Sequence, residues 1–146
     1  MIVKERNFLA MNQSNVQNVV KKVTDMQEIK SYTDLEQSKN LAKILPLESA
    51  DMCYPKDAFA ANYDKEPVCH YNGIGLAHPC WSLVALLSVL PILERKGYQK
   101  AKPQLLYDVA ISKWIVDSHV YTTNGYDNSV DACYEMIIHL HELNLL

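Results

Sequence analysis

The chain has 146 residues, of which 49% are hydrophobic and 21% are charged, and its formal net charge is −3. This length fits one domain whose core is large enough to fold without disulfides, and the hydrophobic fraction excludes a disordered chain. Lysine and arginine residues are adjacent in pairs at most, which disfavours the basic stripe that nucleic-acid-binding proteins of this size carry.

The N-terminus and the cysteines predict a cytoplasmic protein with reduced thiols. The first seven residues, MIVKERN, lack the apolar segment of a signal peptide. The four cysteines (53, 69, 80 and 133) are even in number, but the chain is too long and too helical in pattern to need a disulfide framework. No apolar run reaches the ~20 residues that span a bilayer. We therefore expect no membrane partner, no nucleic-acid partner and no cofactor.

Two helices are predicted in the first third of the chain. Residues 1–13 show no period and are predicted to be loose, followed by one domain over residues 14–146. Helical spacing of valines follows Ser14, although a short strand over residues 19–23 is the alternative. Thr33 and Glu36 form a capping-box pattern that predicts a helix over residues 33–45, ended by Pro46.

The chain is organised around an apolar run over residues 78–91. Pro79 suits the first turn of a helix and Pro91 stops one, which predicts a helix over residues 79–90 that neighbouring segments must cover on every face. Before it, Met52–Tyr54 is predicted to be a short strand. Residues 55–78 have no stable period, and irregular segments of this length tend to be functional.

The last third of the chain predicts a hairpin and a helix. Apolar residues alternate from Leu105 to Ile111, a turn is predicted at Ser112-Lys113, and a second strand follows over residues 114–121. Asn124-Gly125 predicts another turn, which returns a short third strand through Tyr126. Asn128 then caps a helix over residues 129–143 with the apolar stripe Val130, Cys133, Met136, Ile137 and Leu140.

These elements predict an α+β fold, with three to four helices packed on a small antiparallel sheet of two or three strands between residues 104 and 126. The helix over residues 79–90 is expected to lie between this sheet and the helices at 33–45 and 129–143. Segregated helical and strand segments favour this arrangement over an alternating α/β layout.

Three blocks carry a resemblance. Residues 32–54 (YTDLEQSKNLAKILPLESADMCY), residues 79–83 (PCWSL) and residues 127–146 (DNSVDACYEMIIHLHELNLL) together resemble a family of small uncharacterised proteins from gut Bacteroides-type bacteria and their phages or mobile elements. The resemblance covers the chain from Thr24 to its C-terminus. It implies an accessory role that binds or blocks a host component, and it implies no catalytic residue.

Aromatic residues supply the candidate binding site. The chain has nine tyrosines and two tryptophans but only two phenylalanines. Tyrosine has an apolar ring and a polar hydroxyl, so it is favoured at partly solvated surfaces, although it is also common in strands. Trp81 and Trp114 are each predicted to be core anchors; the alternative is that one of them, with Tyr54, lines a groove under residues 55–78 that holds a ligand or partner. The candidate residues are Tyr54, Tyr63, Tyr71, Trp81 and Trp114.

Cysteine and histidine supply the alternative chemistry. Cys69, His70, His78 and Cys80 include ligand types that suit zinc, but the spacing lacks a C-x₂-C pair. Cys80 at the start of a helix could hold a thiolate and act as a nucleophile with a nearby histidine. The competing interpretation is that these cysteines are small buried hydrophobic residues.

No phosphate-binding loop or hydrolase motif occurs, so whether the chain is an enzyme stays uncertain, and its biochemical activity is unknown from the sequence. We predict a non-enzymatic module that binds another protein. The alternatives are a small-molecule binding protein, for a nucleotide or metabolite, and a Cys/His-dependent hydrolase or metal site.

Overall fold

A computed structural model describes residues 29–55, 66–69, 78–94 and 100–146. In these ranges there are three α-helices: α1 (Leu35–Leu41), α2 (Leu83–Val89) and α3 (Ser129–Glu142). The five strands are β1 (Met52–Tyr54), β2 (Val68–Cys69), β3 (His78–Cys80), β4 (Gln104–Asp108) and β5 (Lys113–Asp117). The α+β prediction is confirmed. The loose segment 1–13 and the helix predicted from Ser14 lie outside the described residues.

Helix α3 forms as its sequence predicts. The Asn128 side chain accepts a hydrogen bond from the Asp131 backbone N–H at 2.8 Å, and its amide donates to the Asp131 carboxylate at 2.6 Å. These contacts satisfy backbone groups of the first turn, which have no partner inside the helix. All five residues of the predicted apolar stripe are completely buried.

The N-cap of helix α1 lies one residue later than predicted, and the helix comprises Leu35–Leu41 rather than residues 33–45. Asp34, rather than Thr33, is the N-cap: its carboxylate accepts from the Gln37 N–H at 2.9 Å, and the Gln37 side chain accepts from the Asp34 N–H at 3.2 Å. Thr33 is buried instead, so its hydroxyl is used in tertiary contacts. The helix ends at Leu41, but Leu45 N–H still donates to the Leu41 carbonyl at 2.8 Å through the following turn.

The predicted start of the central helix is wrong. Pro79 lies in β3, and α2 begins after Ser82, whose hydroxyl accepts from the Ala85 N–H at 3.2 Å. The helix ends at Val89 because Leu90 is extended, as a residue before proline prefers to be. The expectation of cover on every face is also wrong, since Val84 is 74% exposed.

The first sheet has the order β2-β1-β3, and both strand pairs are antiparallel. The predicted strand at Met52–Tyr54 is confirmed as its central strand, whereas β2 and β3 were not predicted. Pro79, opposite Cys53, lies on an edge strand, where a missing N–H costs no ladder hydrogen bond.

The second sheet is the predicted hairpin, with Leu105 opposite Val116 and Asp108 opposite Lys113. The turn comprises residues 109–112, so the turn predicted at Ser112-Lys113 begins too late. The Asp108 carboxylate accepts from the Ala110 N–H at 2.9 Å and so ends β4. In place of a continuous third strand, isolated bridges join Trp114 to Tyr126 and Asp117 to Thr122.

Helix α3, rather than α2, lies at the centre of the described core. It packs against α2 and against the hairpin, chiefly through β5, while α1 packs against β3. The predicted layering, with the helix at 79–90 between the sheet and two helices, is therefore wrong. The C-terminal helix takes the central place because its buried stripe is longer than the apolar face that seven-residue α2 presents.

Candidate functional site

Two of the predicted binding residues, Tyr54 and Trp81, are core residues with satisfied polar tips. Their exposed fractions are 4% and 0%. The Tyr54 hydroxyl donates to the Thr33 carbonyl at 2.8 Å, and the Trp81 indole N–H donates to the Ser49 hydroxyl at 2.9 Å. Burial is the principal cause that raises the pKa of Tyr54. Both side chains stabilise the fold where they lie, and neither offers a free surface.

Trp114 lies on β5, in the other sheet, and is half-buried. Its ring meets Tyr107 edge-to-face with the ring centroids 5.2 Å apart, and its inner side packs against the core. The structure thus distributes Tyr54 and Trp114 over two sheets. Tyr63 and Tyr71 lie outside the described residues, as does most of the predicted groove, so that site stays a prediction.

Cys80 is the centre of a buried polar cluster. Its thiol donates to the Thr33 carbonyl at 3.4 Å, and the Thr33 hydroxyl bonds Ser38 at 2.7 Å and accepts from the Trp81 N–H at 3.1 Å. Burial raises the pKa of Cys80, against the effect of its hydrogen bonds, which disfavours the thiolate that the nucleophile hypothesis requires. Cys80 also precedes the cap of α2 and does not lie within the helix. Burial likewise raises the pKa of Cys133 to about 12.

The predicted zinc ligands are only partly described. His78 and Cys80 lie in β3, whereas His70 and the side chain of Cys69 lie outside the described residues. Among the residues that are described, no group of three histidine, cysteine or acidic side chains is arranged to hold a metal ion.

A depression of about 230 Å³ lies before α1 and is lined by Ile29, Lys30, Ser31, Tyr32 and Asp34. It is smaller than the ~300–1,000 Å³ of most ligand pockets. Its ammonium group already has partners, since Lys30 Nζ lies 3.0 Å from Asp34 and 2.7 Å from Asp131. The depression therefore offers little to a nucleotide or metabolite.

An aromatic and polar cluster lies along a half-buried flank of α3. The Tyr121 ring stacks on the His139 ring with the centroids 3.6 Å apart, and the Tyr121 hydroxyl lies 3.4 Å from a Glu135 carboxylate oxygen. His139 also lies 3.8 Å from Glu142. These contacts fix the loop after β5 against α3, which gives the cluster a structural role.

Among the described residues, the hairpin carries a group of exposed apolar side chains that are close together in the chain. Leu106, Tyr107, Val109 and Ile111 are 43%, 48%, 80% and 53% exposed, and we refer to these four residues as the hairpin surface. Side chains alternate along a strand, so Leu106 points away from the core that Leu105 and Val116 face. By the same alternation Tyr107 lies beside Trp114 on the face that α3 covers, where it is still 48% exposed, so the hairpin surface includes side chains from both faces.

Sequence reasoning missed this surface, although a signal was present. Leu105 and Leu106 are adjacent, so the strand is apolar on both faces, whereas a strand with one solvated face should alternate. Val109 and Ile111 were assigned to the strand and are exposed in its turn instead.

No family model, no curated protein and no solved structure matches the chain. In the described ranges, no helix is both long enough and apolar enough to cross a membrane. A function for the chain therefore depends on the geometry above.

Proposed function

We propose that the protein is a non-enzymatic, cytoplasmic interaction module that binds another protein through the hairpin surface. The observation that carries this proposal is the exposure of four large apolar side chains on one short hairpin. Contiguous exposed apolar residues mark protein-interaction sites more often than isolated ones do. The resemblance to mobile-element proteins of Bacteroides-type bacteria supports a host component as the partner.

The described reactive groups support binding over catalysis. Cys80 and Cys133 are completely buried, and burial raises the pKa of both thiols. The Asp51 carboxylate accepts hydrogen bonds from the Ser82 backbone N–H at 2.8 Å and from the Ser82 hydroxyl. Both carboxylate oxygens are therefore already bonded at the start of α2. These groups have structural partners and are poorly placed to act on a substrate.

The hairpin surface is suited to anchor a partner. Complete burial of one large apolar side chain contributes roughly 1.5–3 kcal/mol, so four half-exposed side chains supply several kilocalories per mole. A stable interface buries about 800 Å² on each partner, so a partner must also cover the polar residues around these anchors. The aromatic pair Tyr107 and Trp114 adds a rigid element of the kind that is frequent among interface anchors.

Site-specific photo-crosslinking tests the proposal. A photoreactive amino acid is placed at Ile111 on the hairpin surface and, as a matched control, at Val84, which is also exposed but lies on α2. In the native cell we expect position 111, and not position 84, to give a discrete crosslinked protein. The crosslink should be lost when Val109→Asp is added, because a buried unpaired carboxylate opposes association. Identical crosslinking patterns from the two positions would contradict the proposal.

A further inference from the structure

Among the described residues, the outer edge of β4 has no strand paired with it. In the described part of the chain, β4 pairs only with β5, and residues 122 and 126 bridge to the far side of β5. Trp114 N–H and C=O both bond Tyr126, at 2.8 and 2.9 Å, so they point away from β4. Antiparallel pairs alternate between bonded and non-bonded, and Tyr107 opposite Trp114 is therefore a non-bonded pair in the hairpin.

This alternation fixes the direction of the backbone groups of β4. Leu106 is bonded to Ile115 inside the hairpin, whereas Leu105 and Tyr107 direct their N–H and C=O groups outwards. An edge with outward amide and carbonyl groups is a template for another strand. The central residues Leu105, Leu106 and Tyr107 carry no charge that would oppose pairing.

We propose that β4 pairs antiparallel with β4 of a second copy of this chain, about a two-fold axis at Leu106. The two hairpins then form one four-stranded sheet. This inference rests on the proposed function, since it takes the same hairpin surface and names a second copy of this chain, in place of a host component, as the partner.

With the two-fold axis at Leu106, the outward N–H and C=O groups of Leu105 and Tyr107 all form hydrogen bonds with the second copy. Leu105 lies opposite Tyr107 of the second copy, and Tyr107 lies opposite Leu105 of the second copy, so both pairs exchange two backbone hydrogen bonds. Leu106 faces Leu106 of the second copy. Because Ile115 is beside Leu106 in each hairpin, the outer face gains a continuous apolar row across four strands.

Charge complementarity favours a second copy over an unrelated strand. In this register Gln104 lies opposite Asp108 of the second copy, and Lys102 lies diagonal to the same carboxylate. Diagonal neighbours on one face of a sheet are within reach of a long side chain. Lys102 is exposed and donates to the Ser88 carbonyl at 3.2 Å, a contact that it can exchange for a carboxylate. The two-fold axis repeats each of these contacts.

Disulfide trapping tests the register. Opposed residues in a non-bonded antiparallel pair have Cα atoms about 4.5 Å apart, a separation that a disulfide spans. We expect Leu106→Cys to give a covalent dimer on mild oxidation. The matched control Ile111→Cys is also exposed on the hairpin surface, but it does not face its own copy in this register and should stay monomeric. Both variants carry Cys69→Ser. Equal crosslinking of the two variants, or none, would overturn the proposed pairing.

Sedimentation velocity over a range of concentrations tests the energetics. We expect a monomer–dimer equilibrium for the unaltered chain. Leu106→Lys should raise the dimer dissociation constant about tenfold or more, because two ammonium groups meet at the axis. Lys102→Glu should also weaken the dimer, whereas Lys43→Glu, the same charge change on an exposed residue after α1, should not. Circular dichroism confirms that each variant is folded.

The two proposals fail differently. A chain that stays monomeric at every concentration, with no trapping at position 106, overturns self-pairing. A discrete heterologous crosslink from Ile111 in that case still supports the interaction module. If the only species crosslinked from Ile111 is the chain itself and trapping succeeds at position 106, the second copy is the partner. Self-association that Leu106→Lys leaves unchanged would overturn the edge of β4 as its site.

Discussion

The Lys30 ammonium lies 2.7 Å from a carboxylate oxygen of Asp131, and this contact joins chain positions that are 101 residues apart. The same ammonium lies 3.0 Å from Asp34, the cap of α1, and 2.8 Å from Gln37. The Gln37 amide in turn donates to Asp131 at 2.7 Å. The first turns of α1 and α3 are thus held together by one network of charged and amide groups.

Replacement of Lys30 by methionine should destabilise the fold. Lys30 and Asp131 have side chains only 26% and 28% exposed, so loss of the ammonium leaves a partly buried carboxylate with amide partners alone. We expect the free energy of unfolding to fall by about 1–2 kcal/mol, between the values for surface and buried pairs. Urea denaturation measures it. Lys39→Met, an exposed lysine on α1, is the control, and an equal loss in both variants would contradict the role of the network.

The same pair predicts a pH dependence. Burial alone would raise the pKa of Asp131, but hydrogen bonds from Lys30, Asn128 and Gln37 outweigh it and hold the pKa below its ordinary value. A carboxylate with a lowered pKa in the folded state stabilises the protein above its unfolded pKa of about 4, and the stabilisation is lost as the pH falls through the folded pKa. The difference in unfolding free energy between the unaltered chain and Lys30→Met should therefore shrink below pH ~4. A difference that stays constant from neutral pH to the acid limit would refute this linkage.

The hydroxyl of Thr33 is expected to be essential to the buried polar cluster. Thr33→Val keeps the shape of the side chain but removes its hydroxyl. The Trp81 N–H and the Ser38 hydroxyl then remain buried and have each lost the hydrogen bond to residue 33. Such a loss costs about 1–3 kcal/mol. Thr33→Ser keeps the hydroxyl and should retain the hydrogen-bond contribution. Thermal or urea unfolding in which the valine variant is as stable as the serine variant would show that the hydroxyl contributes nothing.

The buried thiols should be unreactive in the native protein. Cys53, Cys80 and Cys133 are each at most 3% exposed, and burial raises the pKa of Cys80 and Cys133. In a Cys69→Ser background, a chromogenic disulfide reagent at mildly alkaline pH should label almost none of the thiols until denaturant is added. Rapid labelling of Cys80 under native conditions would revive the nucleophile hypothesis.

The elements that the sequence predicts well depend on neighbours in the chain. Helix α3 has its cap, Asn128, and its apolar stripe within one continuous segment, and the two strands of the hairpin are neighbours in the chain, although their turn lies earlier than predicted, at residues 109–112. Neither the helix nor the hairpin needs a contact with a distant part of the chain to be predicted. The capping box at α1 was displaced by one residue because Thr33 and Asp34 both fit the pattern, and burial of Thr33 decides between them.

The elements that the sequence predicts poorly depend on contacts between residues far apart in the chain. Pro79 suits a helix start and an edge strand equally, and only the pairing with Cys53 decides for the strand. The burial of Tyr54 and Trp81 also depends on distant contacts. Tyr54 bonds Thr33, 21 residues away, and Trp81 bonds Ser49, 32 residues away. The sequence favours a partly solvated surface for these aromatic residues, but in the fold their polar groups are hydrogen-bonded inside the core.

Gly125 determines how closely the segment after β5 approaches the hairpin. A Cβ atom at this position would lie 2.7 Å from the Lys113 Cβ and 2.9 Å from the Ile111 Cδ1, closer than side-chain carbons pack. Gly125→Ala should therefore destabilise the fold by about 1–3 kcal/mol. The substitution also lowers the conformational entropy of the unfolded chain, but the stabilisation from that effect is smaller. Asn124→Ala, at the exposed neighbouring position, is the control for urea denaturation. Because Ile111 must shift to admit the methyl group, the alanine variant should also weaken contacts made through the Ile111 side chain, whereas pairing of the β4 edges, which Ile111 does not face, should persist. A variant with unaltered stability and unaltered crosslinking from the hairpin surface would show that Ile111 and Lys113 yield at no cost.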